Sequence, residues 1–293
     1  MTSLIIGMGI GGLYQSVLTT LGYDIVTVDA NPEKDADFLD VDSAIEKHLK
    51  FDTVHVCTPN FTHKELTEKV APVSKIVFVE KPGFKNSSEW IDVNSKFPNT
   101  RIMMIKNNMW RDNIPDLQTK AKLADAVTIE WIRRNCIPNP GSWFTDKQRA
   151  YGGVSRDLMP HMLSLYIALN PTWTPNSLPT LYDVTQQWQL DEIDSTEYGV
   201  IDPNGVHNVD DRCIIEFGDN WHLESNWRSM GKESSAIEFK VNGEVVHRFE
   251  LGWCPEDAYL NMVKDAVKNL NNDEFWKEQL EQDTWIHRQL EKL

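Results

Sequence analysis

Apolar and polar positions follow two different rhythms along the chain, and the change between them falls near residue 115. Up to that point short apolar runs at 3–6, 24–29, 53–57, 75–80 and 101–105 alternate with segments of helical spacing at 12–21, 43–49, 63–70 and 87–97. That alternation is the pattern of strand-helix-strand units in a parallel sheet. Ile76-Val77-Phe78-Val79 is apolar at every position, which suits a strand covered on both faces. Beyond residue 115 the segments 126–133, 182–190, 213–217, 222–227, 236–241 and 245–251 alternate apolar with polar, the pattern of an antiparallel sheet with one covered face. Helical spacing interrupts them at 157–169 and returns at 256–270 and from 273 onward. The pattern predicts an α/β domain over 1–115, a doubly wound parallel sheet. An α+β domain over 116–293, built on a large, mostly antiparallel open sheet, follows it. The two are joined by a short connection at 113–115, with no internal repeat and no low-complexity linker.

At 293 residues the chain has about twice the usual length of one domain. Its 41% hydrophobic and 25% charged residues are ordinary for a globular protein. A formal charge of -15 repels phosphate backbones and anionic lipids, so nucleic acid and membrane surfaces are not expected partners. Cys57, Cys136, Cys213 and Cys254 form no CxxC pair and have no histidine at zinc-like spacing, so reduced thiols and no metal site are expected. No signal-peptide pattern opens the chain and no stretch approaches the ~18 to 20 apolar residues of a membrane helix. A cytoplasmic location is the expectation.

Residues 7–12, Gly-Met-Gly-Ile-Gly-Gly, fit GxGxxG with the matching glycines at Gly7, Gly9 and Gly12. Glycine is needed there for a tight turn, for approach of bare backbone to a pyrophosphate and for close packing of the helix on the strand. Phosphates would rest at the unpaired N–H groups of the helix start, with Ile10 alongside. The motif follows a predicted strand, opens a predicted helix and is followed about 20 residues later by Asp29 at the end of the second strand, as a dinucleotide site requires. A carboxylate there accepts from both ribose hydroxyls and repels the extra phosphate of NADP. Only Lys34 offers a nearby cation, so NAD is expected over NADP. The alternative is that Asp29 merely starts the turn before Asn31-Pro32. Thr58-Pro59-Asn60 ends the third strand, where ligands of such sheets lie; by itself it is also simply a good turn and helix start.

Together the glycine turn, Thr58-Pro59-Asn60 with His63, Glu80-Lys81-Pro82, Gly152-Gly153 and Asp157 with His161 resemble the glucose-fructose oxidoreductase, inositol dehydrogenase and related (Gfo/Idh/MocA) family in order and interval. Trp143 and Val209-Asp210-Asp211 extend the resemblance over most of the chain. Departures are Val154, where a third glycine is usual, and Asn107-Asn108, where many relatives are more basic. The resemblance implies a Rossmann domain followed by an α+β domain whose open sheet forms a homo-oligomer, a dimer or a tetramer. It implies cofactor contacts from Gly7, Gly9, Ile10, Gly12, Asp29, Thr58, Pro59, Asn60, His63, Glu80 and Lys81.

A lone Glu-Lys-Pro is as common at a solvated strand end; the resemblance favours Lys81 as the cation that stabilises charge developing on a substrate oxygen. Asp157 and His161 are four apart, on one face if helical, with Pro160 tolerated only in a first turn. By themselves they read as a helix cap and a surface histidine. Beside Lys81 and the glycine turn, His161 is the expected base and Asp157 its orienting group or a contact to a neighbouring hydroxyl. Asn108, Arg134, Trp143 and Tyr151 are weaker candidates to line a substrate pocket. The expected activity is hydride transfer between a nicotinamide and a CH–OH or C=O carbon of a sugar, sugar derivative or polyol. A non-catalytic NAD- and ligand-binding regulator would share the fold. Retention of Lys81, Asp157 and His161 favours the enzyme. The same pair speaks against relatives that reduce an imine or a tetrapyrrole.

Overall fold

Strands β1 (Thr2–Ile6), β2 (Asp24–Val28), β3 (Phe51–Val56), β4 (Ser74–Val79) and β5 (Arg101–Met104) pair in the order β2-β1-β3-β4-β5, every pairing parallel. Helices α1 (Gly11–Thr20), α2 (Val41–His48), α3 (His63–Val70) and α4 (Ser87–Lys96) connect them. Leu4, Ile5, Val54, Val56, Val77, Phe78 and Val79 are fully buried, so the central strands are covered on both faces as their apolar runs required. Asp40 and Asn86 cap α2 and α4 by accepting from the backbone N–H groups of Ser43 and Glu89. The computed structural model describes residues 1–293, and these elements belong to the first of two units, Met1–Arg111 with Pro255–Glu291.

The second unit, Asp112–Cys254 with Lys292–Leu293, holds α5 (Ile114–Leu123), β6 (Ala126–Ile132), α6 (Lys147–Ala150), α7 (Val154–Asp157), α8 (Met159–Leu169), β7 (Leu181–Thr185), β8 (Arg212–Phe217), β9 (Trp221–Asn226), β10 (Ser234–Val241) and β11 (Glu244–Glu250). Its sheet runs β11-β10-β6-β9-β8-β7, antiparallel except between β6 and β9. Cys213, Ile215, Leu223, Ile129, Ile237 and Phe239 bury one face, and Tyr166 of α8 stacks on Phe217 there at 3.9 Å. The opposite face carries paired charges, with Arg212 bridging Asp183 and Glu224, and Arg248 reaching Glu238.

Three expectations are corrected. The strand expected over 182–190 ends at Thr185, because the N–H groups of Gln187 and Trp188 donate to Asp211 Oδ2 (2.8 and 3.0 Å) instead of continuing the ladder. The helix expected over 157–169 is two pieces, α7 and α8, meeting at Leu158, with Pro160 in the first turn of α8 where its missing N–H costs nothing. Division at 115/116 puts the C-terminal helices in the second domain, whereas α9 (Glu256–Lys268) and α10 (Asp273–Leu290) pack in the first unit. There α9 lies on α1 and receives a 3.1 Å bond from Trp110 Nε1 at Asp265, while α10 lies on α4 and β5. Helical periodicity shows that a face is buried without showing against which sheet. No helix is long and apolar enough to cross a membrane.

Candidate active site

In the first unit the glycine turn leaves β1 at Gly7, whose φ of 91° and whose missing Cβ, which would stand 2.6 Å from the Cys57 carbonyl oxygen, both demand glycine. Gly9 and Gly12 have no atom within 4 Å of where a Cβ would be, so both leave bare backbone approachable. The close packing of helix on strand falls to Gly11, where a Cβ would meet Ile5 Cγ2 at 2.8 Å, and not to Gly12 as the motif register suggests. Helix α1 starts at Gly11, one residue before the expected start. It has no side-chain cap and no acidic residue in its first turn, and Ile10 before it is exposed. A helix start without a side-chain cap, beside open glycines, fits a pyrophosphate, with Gly12 N and Leu13 N turned back to Gly9 O (3.4 Å) and Ile10 O (3.0 Å).

Asp29, half-buried after β2, accepts 2.7 Å from Met8 N through Oδ2 and 2.8 Å from Asn31 N through Oδ1. It does start the turn to Asn31, and it also holds the glycine turn against the end of β2, where a ribose would lie.

Two further turns follow at the carboxyl ends of β3 and β4. Thr58, Pro59 and Asn60 are half-buried, with Thr58 Oγ1 2.6 Å from Thr62 Oγ1. In the next turn Glu80 is buried and Lys81 half-buried; the Lys81–Pro82 peptide is cis, and Gly83 N closes the turn on Glu80 O at 3.0 Å. Glu80 is held from both sides, accepting from the Tyr14 hydroxyl of α1 (3.0 Å) and from Lys81 N (3.1 Å). Burial first and the Glu80 charge second push the Tyr14 hydroxyl and the Cys57 thiol well above their ordinary ranges. His63 is fully buried, with Nδ1 2.9 Å from Gly83 O and Nε2 2.7 Å from Thr58 O. Its pKa is lowered by burial, against the pull of the two carbonyls and with help from Lys81. His63 therefore lies between the Thr58 and Gly83 turns, and as a neutral ring it carries one N–H to donate to one of the two carbonyls.

The second unit carries Asp157 and His161. Gly152-Gly153 lies against Asp210, whose carboxylate accepts from Gly153 N (2.8 Å), Ser155 N (2.8 Å) and Ser155 Oγ (2.9 Å). A Cβ on Gly153 would collide with the Asp210 backbone. This ledge sets α7, at whose last residue Asp157 Oδ2 accepts 3.0 Å from Trp227 Nε1. His161, half-buried in the first turn of α8, lies 5.8 Å from the Trp131 ring. Tyr151 is half-buried at φ 72°, Trp143 stacks on Phe144 at 4.0 Å, and Arg134 is exposed. Asn108, in the first unit, is fully buried; its Oδ1 accepts 2.7 Å from Arg111 Nε, while its Nδ2 finds no hydrogen-bond partner.

The structure thus brings together Gly7, Asp29, Thr58, Glu80 and Lys81 in one unit, and Asp157 and His161 in the other. Tyr14, Trp227 and His287 were missed from sequence. Asp210 belonged to a segment already noted at a strand entrance, without its role. A lone tyrosine on the helix after the glycine turn was a usable signal for Tyr14; Trp227 and His287 gave none.

Residues 26–100 match the model of the GFO_IDH_MocA oxidoreductase family, NAD-binding Rossmann fold. A protein of Amycolatopsis mediterranei (strain S699), provisionally named as the oxidoreductase subunit of a UDP-kanosamine synthase, is 32% identical over 126 residues, 41% of this chain and 35% of that protein. The match therefore spans about a third of that relative's length. Among solved structures, levoglucosan dehydrogenase with NADH and levoglucosan superposes with a TM-score of 0.69 at 15% identity, over 98% of this chain and 96% of the other. Myo-inositol dehydrogenase from Corynebacterium glutamicum ATCC 13032 gives 0.71 at 13% identity, over 100% and 94%. At these identities the likeness is one of fold.

Proposed function

We propose, from the match of residues 26–100 to the Gfo/Idh/MocA oxidoreductase family, that the chain is an NAD(H)-dependent oxidoreductase acting on a CH–OH or C=O carbon of a sugar, sugar derivative or polyol. The observation that carries this reading is the turn at 80–84, which holds a half-buried Lys81 at the carboxyl end of β4 in the same unit as an uncapped glycine turn and Asp29. When bound, the nicotinamide supplies or accepts the hydride. In the oxidising direction His161 takes the hydroxyl proton as the carbonyl forms, and Asp157, oriented by Trp227, steadies the imidazole or a neighbouring hydroxyl. Lys81 offsets the negative charge on the substrate oxygen. Asp29 favours NAD over NADP, because its carboxylate accepts ribose hydroxyls and repels a phosphate. Trp143 and Tyr151 offer ring faces suited to the apolar side of a sugar.

The test follows absorbance at the reduced-nicotinamide band with NAD and then NADP over a panel of sugars and polyols. Turnover with NAD that falls roughly 100-fold or more in both Lys81→Ala and His161→Ala supports the reading. Tight NAD binding without turnover on the whole panel overturns it in favour of a regulator. A homo-oligomer joined through the charged face of the second sheet belongs to the same proposal, and a monomer by light scattering at micromolar concentration would refute it.

A further inference from the structure

We propose that His287 of α10 is a positioning residue for Lys81, acting by gripping the Gly83–Phe84 peptide group from the side opposite His63; the proposal rests on the role given to Lys81 above. The two imidazoles meet one and the same peptide plane. His63 Nδ1 is 2.9 Å from its carbonyl oxygen, and its N–H, that of Phe84, donates 2.9 Å to His287 Nε2 across 203 residues of sequence. A backbone amide can only donate, so His287 Nε2 carries no proton; the ring is neutral and its Nδ1–H donates 2.7 Å to the carbonyl oxygen of Asp283.

Everything around the ring holds it in that pose. His287 is fully buried and stacks on Trp90 at 4.7 Å with 23° between the planes. Gly83, at φ 78°, has no room for a Cβ because the His287 ring occupies that space. One turn earlier on α10, Asp283 accepts 2.9 Å from Met104 N and pairs with Lys106, which fastens the helix to the end of β5. Glycine at a positive φ leaves the following peptide plane free to rotate, and Lys81 stands two residues before it. The His287 bond removes that freedom at the N–H end of the plane, and His63 Nδ1 faces the carbonyl at its other end. An error of about 1 Å in a positioned group costs on the order of 100-fold in rate, so the clamp is read out in kcat.

The test compares His287→Phe, which keeps an aromatic ring on Trp90 but neither hydrogen bond, with His287→Gln, which returns a side-chain acceptor to Phe84 N. Per NADH-binding site, kcat of the Phe variant is expected to fall about tenfold or more with KM for NAD little changed, and Gln to restore it to within about threefold of wild type. A role confined to stability would lower the melting temperature of both variants and leave kcat per binding site unmoved, which overturns the proposal. Imidazole 15N signals of the unaltered protein are expected to show His287 protonated at Nδ1 alone; protonation at Nε2 refutes the clamp even should the Phe variant not fold. If no substrate is turned over, the function proposed for the protein fails. The clamp is then judged on the Lys81 amide signal, expected to shift in His287→Phe and return in His287→Gln; an unmoved signal refutes it.

Discussion

The Tyr14 hydroxyl donates a 3.0 Å hydrogen bond to Glu80 Oε1, joining the helix that follows the glycine turn to the residue that precedes Lys81. Both groups are buried, so neither has water to fall back on. Tyr14→Phe is expected to cost about 1.5–3 kcal/mol, the range for a buried bond to a charged acceptor, measured by urea unfolding. A loss within experimental error would show that Glu80 is held by its other partners alone.

Asp29 performs two tasks, one toward Met8 N and one proposed toward a ribose. For Asp29→Ala the ratio of NADP to NAD affinity is expected to rise at least tenfold, about 1.4 kcal/mol, by fluorescence titration with the reduced cofactors. An unchanged ratio would leave Asp29 only its turn.

His55 is wholly buried on β3, stacked on Phe78 at 4.7 Å and beside Tyr14 at 4.8 Å, and neither ring nitrogen finds a hydrogen-bond partner. Burial holds its pKa down to about 3, against an ordinary 6.5. The folded protein keeps this imidazole neutral while the unfolded chain takes up a proton. Its contribution to stability is therefore full above pH 6.5 and is lost at about 1.4 kcal/mol per pH unit as pH falls toward 3. His55→Phe is expected to flatten stability between pH 6.5 and 5, followed by chemical unfolding at each pH. An unaltered slope would assign the acid sensitivity to other groups.

Lys106 and Asp283 form an ion pair with both side chains at 0% exposure. Burial pushes the Asp283 carboxyl up, against the pull of Lys106 and Met104 N. Asp283→Leu strands the lysine charge and is expected to cost about 3–5 kcal/mol, whereas Lys106→Met with Asp283→Leu should recover at least half of it. Additive losses in the double variant would mean that the pair is not coupled.

Much of the first unit was legible because its determinants are local. The all-apolar run in β4, the glycines before α1 and the acid after β2 each act within a few residues. The choice between Gly11 and Gly12 was not legible, since it depends on which one faces Ile5. At 187–188 the remote carboxylate of Asp211 draws the amides away from the ladder, and Gln189 N turns to Glu192. His63 was visible as a motif residue, but its burial between two carbonyls is a property of the assembled turns. Asp283 and His287 carry the least local information, for their partners Lys106, Met104 and Phe84 lie 177 to 203 residues earlier in the chain.

That last distance bears on how the protein is made. Residues 255–291 are synthesised after residues 112–254 of the second unit, yet they complete the first. A nascent chain halted before residue 255 already holds all five parallel strands, but lacks the carboxylate that answers Lys106 and the imidazole that receives the Phe84 amide. The turn bearing Lys81 thus acquires its final support only when α10 has been translated, so truncated translation products carry the glycine turn without a fully braced lysine.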